Sequence, residues 1–298
     1  MPSEASKDTL SRFRVAQAMR RQVIQRPERA SIASAVNALI KYKVSAALVT
    51  DSQGKPAGVV SKTDIMGAYY AGVPVDAPLE QIMNGPPLFC RPETSLSRAL
   101  EIMRTKAVYR LFVREDENGP VEGLLAYPDI VGLLYRVCRN CEISLHRRRA
   151  PHAFDGVARY RVREVMTPDV RALDEEAPLY TVMETLSAYR FGALLVIDGA
   201  GMPRGVVSKT DLALAYRRGT PPDVPAREVM TPSVCSCPAQ APLEDAIRRM
   251  IFSDVHRLFV HDQDPERTVG VLSLSDAARV RSGSCHACVS SRIRLEAL

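Results

Sequence analysis

Several features are missing from this 298-residue chain, and each absence removes a class of protein. No uninterrupted apolar run approaches the ~20 residues that a membrane helix needs, so nothing reads as a bilayer span. The opening residues, MPSEASKDTLSRFR, carry no apolar stretch of the secretory type, and no export signal is expected. Cysteine is sparse and odd in number, at seven, which fits a disulfide-stapled secreted scaffold poorly and a reducing cytoplasm well. There is no nucleophile elbow, no P-loop, no His-Glu metal helix and no separate catalytic domain, so binding is expected and catalysis is not. The net charge of +6 is modest for the length. It suits an anionic ligand without arguing for nucleic acid. The run Arg147, Arg148, Arg149 lacks interleaved aromatics for base stacking and reads as a solvated stretch.

What is present is the composition of a globular protein, 46% apolar and 25% charged, long enough for about two ordinary domains. Its strongest feature is repetition. GVVSKTD occupies 58–64 and again 205–211, an offset of 147. GLLAYPD at 123–129 and GVLSLSD at 270–276 share that offset, as do Met19 and Met166, Met83 and Met230, and Arg110 and Arg257. Within each half a second offset, from 58 to 123 and from 205 to 270, is 65. The chain is therefore one unit used four times, in two pairs.

Each copy carries an apolar i, i+3, i+4, i+7 stripe, which predicts an amphipathic helix. The stripes are Ile32, Ala35, Val36, Leu39; Leu96, Ala99, Leu100, Met103; Leu179, Val182, Met183, Leu186; and Leu243, Ala246, Ile247, Met250. Thr94 and Ser95, or Pro178 and Pro242, mark helix starts. Strand-like runs follow at 46–50, 111–115, 193–198 and 258–262, then a polar turn, a second strand, a G-φ-φ-x-x-x-D motif and another helix. The expected class is mixed α/β (α+β), with four β-α-β-β-α repeats. One copy is too small to bury both faces of its sheet, so copies must pair.

These segments resemble the CBS (cystathionine β-synthase) domain, and each pair of copies resembles a Bateman module. The resemblance rests on EVMTP at 164–168 and again at 228–232, the looser AQAMR and EQIMN, and the motif G-φ-φ-S-x-x-D. It covers about residues 12 to 281. The boundaries expected from it are 8–72, 76–138, 159–219 and 223–281 for the four repeats, with a linker at 139–158 and a cysteine-containing tail at 282–298.

The motif aspartates fall in the first turn of a helix, where a carboxylate can accept from the adjacent hydroxyls of a ribose and neighbouring N–H groups suit a phosphate. The resemblance implies adenosine-containing ligands: AMP, ADP, ATP or S-adenosylmethionine. The alternative is that Asp64, Asp129, Asp211 and Asp276 only compensate the helix dipole. Copy four is the strongest candidate, because VHRLFV with SLSD resembles the nucleotide-holding segments of the γ regulatory subunit of AMP-activated protein kinase. That resemblance gives His256 and Arg257 to phosphate, with Ser273 and Ser275 bonding it and Asp276 holding ribose. Copy two keeps Arg110 and Asp129 but has Tyr109, Ala126 and Pro128 elsewhere in the pattern. Copies one and three carry Ser61, Thr63, Asp64 and Ser208, Thr210, Asp211, with Ser45 and Gly192 near the position of the arginine. Lys62 and Lys209 are expected to face solvent.

The pairs Cys138/Cys141 and Cys285/Cys288, again 147 apart, stand outside the resemblance. They fit a four-thiolate zinc or iron–sulfur site, two redox pairs, or buried thiols continuing the stripe Ile130, Leu133, Leu134, Val137. Cys90, Cys235 and Cys237 read as ordinary strand residues. The expected function is a non-catalytic regulatory sensor that binds an adenine nucleotide and signals to a regulated protein. Its rival is a metal- or redox-responsive protein with the repeats as scaffold. Whether the chain forms a homodimer stays open.

Overall fold

The computed structural model describes residues 9–140, 160–168 and 170–280. Among them the four copies fold alike. Copy 1 runs β1 (Gln25–Pro27), α2 (Ile32–Lys41), β2 (Ala46–Thr50), β3 (Pro56–Ser61) and α3 (Lys62–Tyr70), preceded by the short α1 (Val15–Ala18). Copy 2 runs β4 (Phe89–Cys90), α4 (Leu96–Thr105), β5 (Arg110–Val113), β6 (Gly123–Ala126) and α5 (Tyr127–Asn140). Copy 3 has β7 (Ala172–Asp174), α6 (Leu179–Ala188), β8 (Ala193–Ile197), β9 (Pro203–Ser208) and α7 (Lys209–Arg217). Copy 4 has β10 (Ser236–Pro238), α8 (Leu243–Phe252), β11 (Arg257–His261), β12 (Thr268–Ser273) and α9 (Leu274–Val280). The mixed α/β class and the β-α-β-β-α order are those read from the sequence.

Each copy contributes a three-stranded sheet whose first two strands are parallel and whose last two are antiparallel. The short first strand is joined to the second by the crossover helix that parallel pairing requires. All sixteen stripe residues of the four crossover helices are buried, so the apolar period located the core side of each helix. Ser31 and Ser95 cap their helices, accepting from Ser34 and Arg98 N–H at 3.2 Å. Pro178 and Pro242 give no side-chain cap. In all four helices the first N–H donates to a distant carbonyl: Ile32 to Ala77 at 3.0 Å, Leu96 to Phe13 at 2.9 Å, Leu179 to Val224 at 3.0 Å and Leu243 to Tyr160 at 2.9 Å.

Each crossover helix is left through a residue with positive φ: Lys43, Ala107, Arg190 and Asp254, at 51–54°. None is glycine, so the usual signal for this left-handed turn is absent.

The chain forms two compact units, each with its own core. One contains copies 2 and 4, the other copies 1 and 3. The apolar stripes thus share cores between different halves of the sequence. In the unit of copies 1 and 3, α3 packs on α7. Tyr69 stacks on Tyr216 with ring centroids 5.1 Å apart. The Tyr69 hydroxyl donates to the Thr220 carbonyl at 2.7 Å, and Tyr216 reciprocates to the Val73 carbonyl. These reciprocal contacts express an approximate two-fold relation between the copies.

The segment leading into each copy docks on another copy's sheet. Arg20 bridges to Leu124, Asn84 to Val59, Thr167 to Val271 and Thr231 to Val206, each through backbone bonds of 2.7–2.9 Å in both directions. The motif glycine exists for this contact. A Cβ at Gly58 would lie 2.7 Å from Met83 Sδ, and one at Gly123 would lie 2.8 Å from Met19 Sδ. One at Gly205 would lie 2.6 Å from the Thr231 carbonyl oxygen. The repeated methionine and the repeated glycine are two sides of one junction.

Gly205→Ala should therefore cost about 1–3 kcal/mol of stability, the range for overpacking a filled site. Gly199→Ala, where an added Cβ meets nothing within 4 Å, should change stability by less than ~0.5 kcal/mol. Equal denaturation midpoints for the two variants would contradict the close-approach account.

Candidate functional site

Each motif aspartate lies at the start of a helix and spends one oxygen on its own turn. Asp64 Oδ2 accepts the Ser61 N–H at 2.7 Å and the Ser61 hydroxyl at 2.6 Å. Asp211 does the same with Ser208, at 2.8 and 2.6 Å. Asp276 accepts the Ser273 N–H at 2.9 Å and the Ser273 hydroxyl at 2.5 Å. In copy 2, Ala126 offers only its N–H, to Asp129 Oδ2 at 2.8 Å. Ser61 and Ser208 complete capping boxes with their aspartates. The serine and the aspartate of the motif are thus partners first, and only the second oxygen, Oδ1, is left over.

The second oxygen distinguishes the copies. Asp129 Oδ1 accepts from Arg20 Nε in an ion pair, and the Asp129 side chain is 5% exposed. Asp64 Oδ1 accepts from the Asn84 amide at 2.6 Å. Asp211 Oδ1 meets the Thr231 hydroxyl at a long 3.4 Å. Among the described residues, Asp276 Oδ1 and the Thr167 side chain make no hydrogen bond. Arg20, Asn84, Thr167 and Thr231 each follow a leading methionine. The sequence reading missed them as a set, although EVMTP is repeated: it served as a family signature and was given no spatial role.

Arg257 opens β11 and sits opposite Ser273 on β12, as Arg110 sits opposite Ala126. The same register in copies 1 and 3 puts Ala46 opposite Ser61 and Ala193 opposite Ser208, one residue beyond the Ser45 and Gly192 named from the sequence. Burial lowers the Arg257 guanidinium to about 10, opposed by the charge of Asp276 and by Tyr109 of copy 2. It remains a cation at neutral pH. Burial raises the Asp129 carboxyl, against the opposing pull of Arg20, the Ala126 N–H and Arg110. His256 is exposed, and its carbonyl accepts the Leu274 N–H at 2.9 Å. The Ser275 hydroxyl bonds Ser273 Oγ at 2.7 Å. Copy 4 therefore gathers Arg257, Ser273, Ser275 and Asp276 in one place, with exposed Thr167 bridged to the adjoining strand.

Lys62 and Lys209 do not simply face solvent. Lys62 Nζ donates to Thr210 Oγ1 and Lys209 Nζ to Thr63 Oγ1, each at 2.9 Å. The two threonines of copies 1 and 3 are thus held by the opposite copy's lysine.

Comparison with known proteins matches the CBS domain at residues 15–71, 79–136, 162–218 and 226–283. The chain belongs to the CBS-domain family. Protein MJ1225 from Methanocaldococcus jannaschii, proposed as an archaeal homolog of g-AMPK, superposes with a TM-score of 0.73 at 17% identity, over 89% of this chain and 99% of that one. The uncharacterized protein MJ1404 of the same organism is 21% identical over 72% of this chain, which spans 49% of MJ1404. A CBS domain protein from Pyrobaculum aerophilum, solved complexed with AMP, aligns to 40% of this chain and 90% of its own at 28% identity and a TM-score of 0.37. Four CBS domains are consistent with two Bateman modules.

Cys141, Cys285 and Cys288 lie outside the described residues, as does the side chain of Cys138. Among the described residues no group of three or more His, Cys, Asp and Glu is placed to hold a metal, and no helix is long and apolar enough to cross a membrane. In the CBS sheets, Cys90 and Cys237 are buried, and burial raises both thiols to about 11. At pH 8 their thiolate fraction is on the order of one part in a thousand, and the thiolate is the nucleophile. Iodoacetamide should leave both unmodified in the native protein and alkylate them on denaturation, as peptide mapping would read. Rapid native labelling of either would contradict their placement.

Proposed function

We propose that this CBS protein is a non-catalytic sensor that binds an adenosine-containing nucleotide in copy 4 and passes its bound state to a regulated protein. The observation that carries this reading is the open pair formed by Asp276 Oδ1 and the Thr167 hydroxyl, neither hydrogen-bonded among the described residues, beside the half-buried cation of Arg257. A ribose diol supplies two donors that a carboxylate oxygen and a hydroxyl can receive. Arg257 offers a planar donor fork to phosphate oxygens. Family membership supports the same ligand class, through the adenosine-binding role that the CBS resemblance implies. Copies 1 and 3 have alanine in place of the arginine, which favours ligands with less phosphate or none there.

Regulation without turnover agrees with the chemistry of the cluster. Its carboxylate is held by its own helix cap, accepting from the Ser273 hydroxyl through Oδ2, an arrangement suited to receiving a ligand's hydroxyls.

A panel of AMP, ADP, ATP, S-adenosylmethionine and adenosine should raise the melting temperature selectively, because a ligand of the native state stabilises it by mass action. In calorimetry, Asp276→Ala should weaken AMP at least tenfold, since a hydrogen bond to a charged group contributes ~1.5–3 kcal/mol. Arg257→Gln should weaken AMP at least tenfold while leaving adenosine within about twofold. Affinities unchanged in both variants would overturn the placement, and protein-dependent loss of ATP would overturn the sensor reading.

A further inference from the structure

We infer that the residue following each leading methionine sets which CBS copy a nucleoside can enter, and that Arg20 closes copy 2 from within. This inference rests on the nucleotide reading above and concerns access to the same kind of carboxylate.

The four leading segments are fixed by the same two-way backbone bridge, so Arg20, Asn84, Thr231 and Thr167 enter from equivalent places. What each does to the motif aspartate differs by chemistry. Arg20 supplies a charged N–H to Asp129 Oδ1, while Ala126 N–H takes Oδ2. Both oxygens are then engaged, and the side chain is 5% exposed. A ribose diol would have to displace an ion pair to reach it, and exchanging a cationic donor for a neutral hydroxyl leaves both charges without their partner, which is unfavourable. Asn84 supplies a neutral donor to Asp64 at 2.6 Å, a weaker obstacle. Thr231 stands 3.4 Å from Asp211, at the edge of bonding distance. Thr167 makes no such bond to Asp276 among the described residues. Access therefore increases from copy 2 through copies 1 and 3 to copy 4.

The closure explains a mismatch in copy 2. It retains Arg110 and Asp129, the two charged members of the copy 4 cluster, so residue identity alone would count it a site. Its carboxylate is instead satisfied internally. The guanidinium takes the place a ribose would occupy, and Arg20 remains 46% exposed on its outer side. Arg20 is a specificity-determining residue for a site it does not belong to in sequence.

The test is calorimetric titration of the full chain with AMP. Arg20→Thr should add one AMP per chain relative to the unsubstituted protein, and Arg20→Thr combined with Asp129→Asn should lose that added site. Thr167→Arg, the converse change, should weaken the copy 4 site at least tenfold by pairing Asp276. An unchanged stoichiometry in Arg20→Thr, with AMP still binding the unsubstituted protein, overturns this inference and spares the nucleotide reading. No AMP bound by either protein overturns both. Should Arg20→Thr fail to fold, Thr167→Arg decides the matter, and wild-type affinity there would refute the role given to this position.

Discussion

The structure depends on one close approach, repeated four times: a methionine from a leading segment pressed against a strand glycine that has no room for a Cβ. Dispersion contacts at that junction are individually small, but they hold a backbone bridge whose bonds run in both directions. The bridge fixes the next residue within reach of the aspartate on the following helix. Packing, register and the polarity of the site therefore share one origin. A shift of one residue in the leading segment would carry the methionine out of the glycine notch and the next side chain away from the carboxylate together.

That constraint also explains why four nearly identical copies do not have identical sites. The backbone bridge is the same in each, yet among the described residues the side chain delivered to Oδ1 is a guanidinium, an amide, a distant hydroxyl or a hydroxyl that does not engage. The cation at the start of the second strand varies independently, being arginine in copies 2 and 4 and alanine in copies 1 and 3. Among the described residues, copy 4 alone combines an arginine with a carboxylate oxygen that makes no hydrogen bond. In copies 1 and 3 the helix starts are instead cross-linked by Lys62–Thr210 and Lys209–Thr63 hydrogen bonds.

The periodic features were legible in the sequence because they are local. A stripe such as Leu243, Ala246, Ile247, Met250 marks a buried helix face whatever it packs against, and all four of those residues are buried. The same pattern cannot name the partner, so the sharing of cores between copies 2 and 4 and between copies 1 and 3 emerged only in three dimensions. The motif aspartates stand in the first helical turn as the sequence implied, but their first task there is a helix cap, which sequence weighed only as a dipole effect. Arg20 was illegible for a different reason: it is 109 residues from Asp129, and nothing near it is acidic in a way that would suggest the pair. The lysines misled because a lysine at a helix start ordinarily extends into water, and here a threonine from the opposite copy lies in reach.

The central claim is that ligand enters between the leading segment 162–168 and the motif 271–277 of copy 4. Amide hydrogen exchange with and without saturating AMP tests it most directly, because a bound nucleotide would slow exchange where it bridges the two segments. The account predicts protection in peptides spanning 162–168 and 271–277, with little change at 15–22 and 123–130, where Arg20 already holds Asp129. Protection confined to the copy 2 peptides, or absent from both segments of copy 4 at saturation, would contradict it.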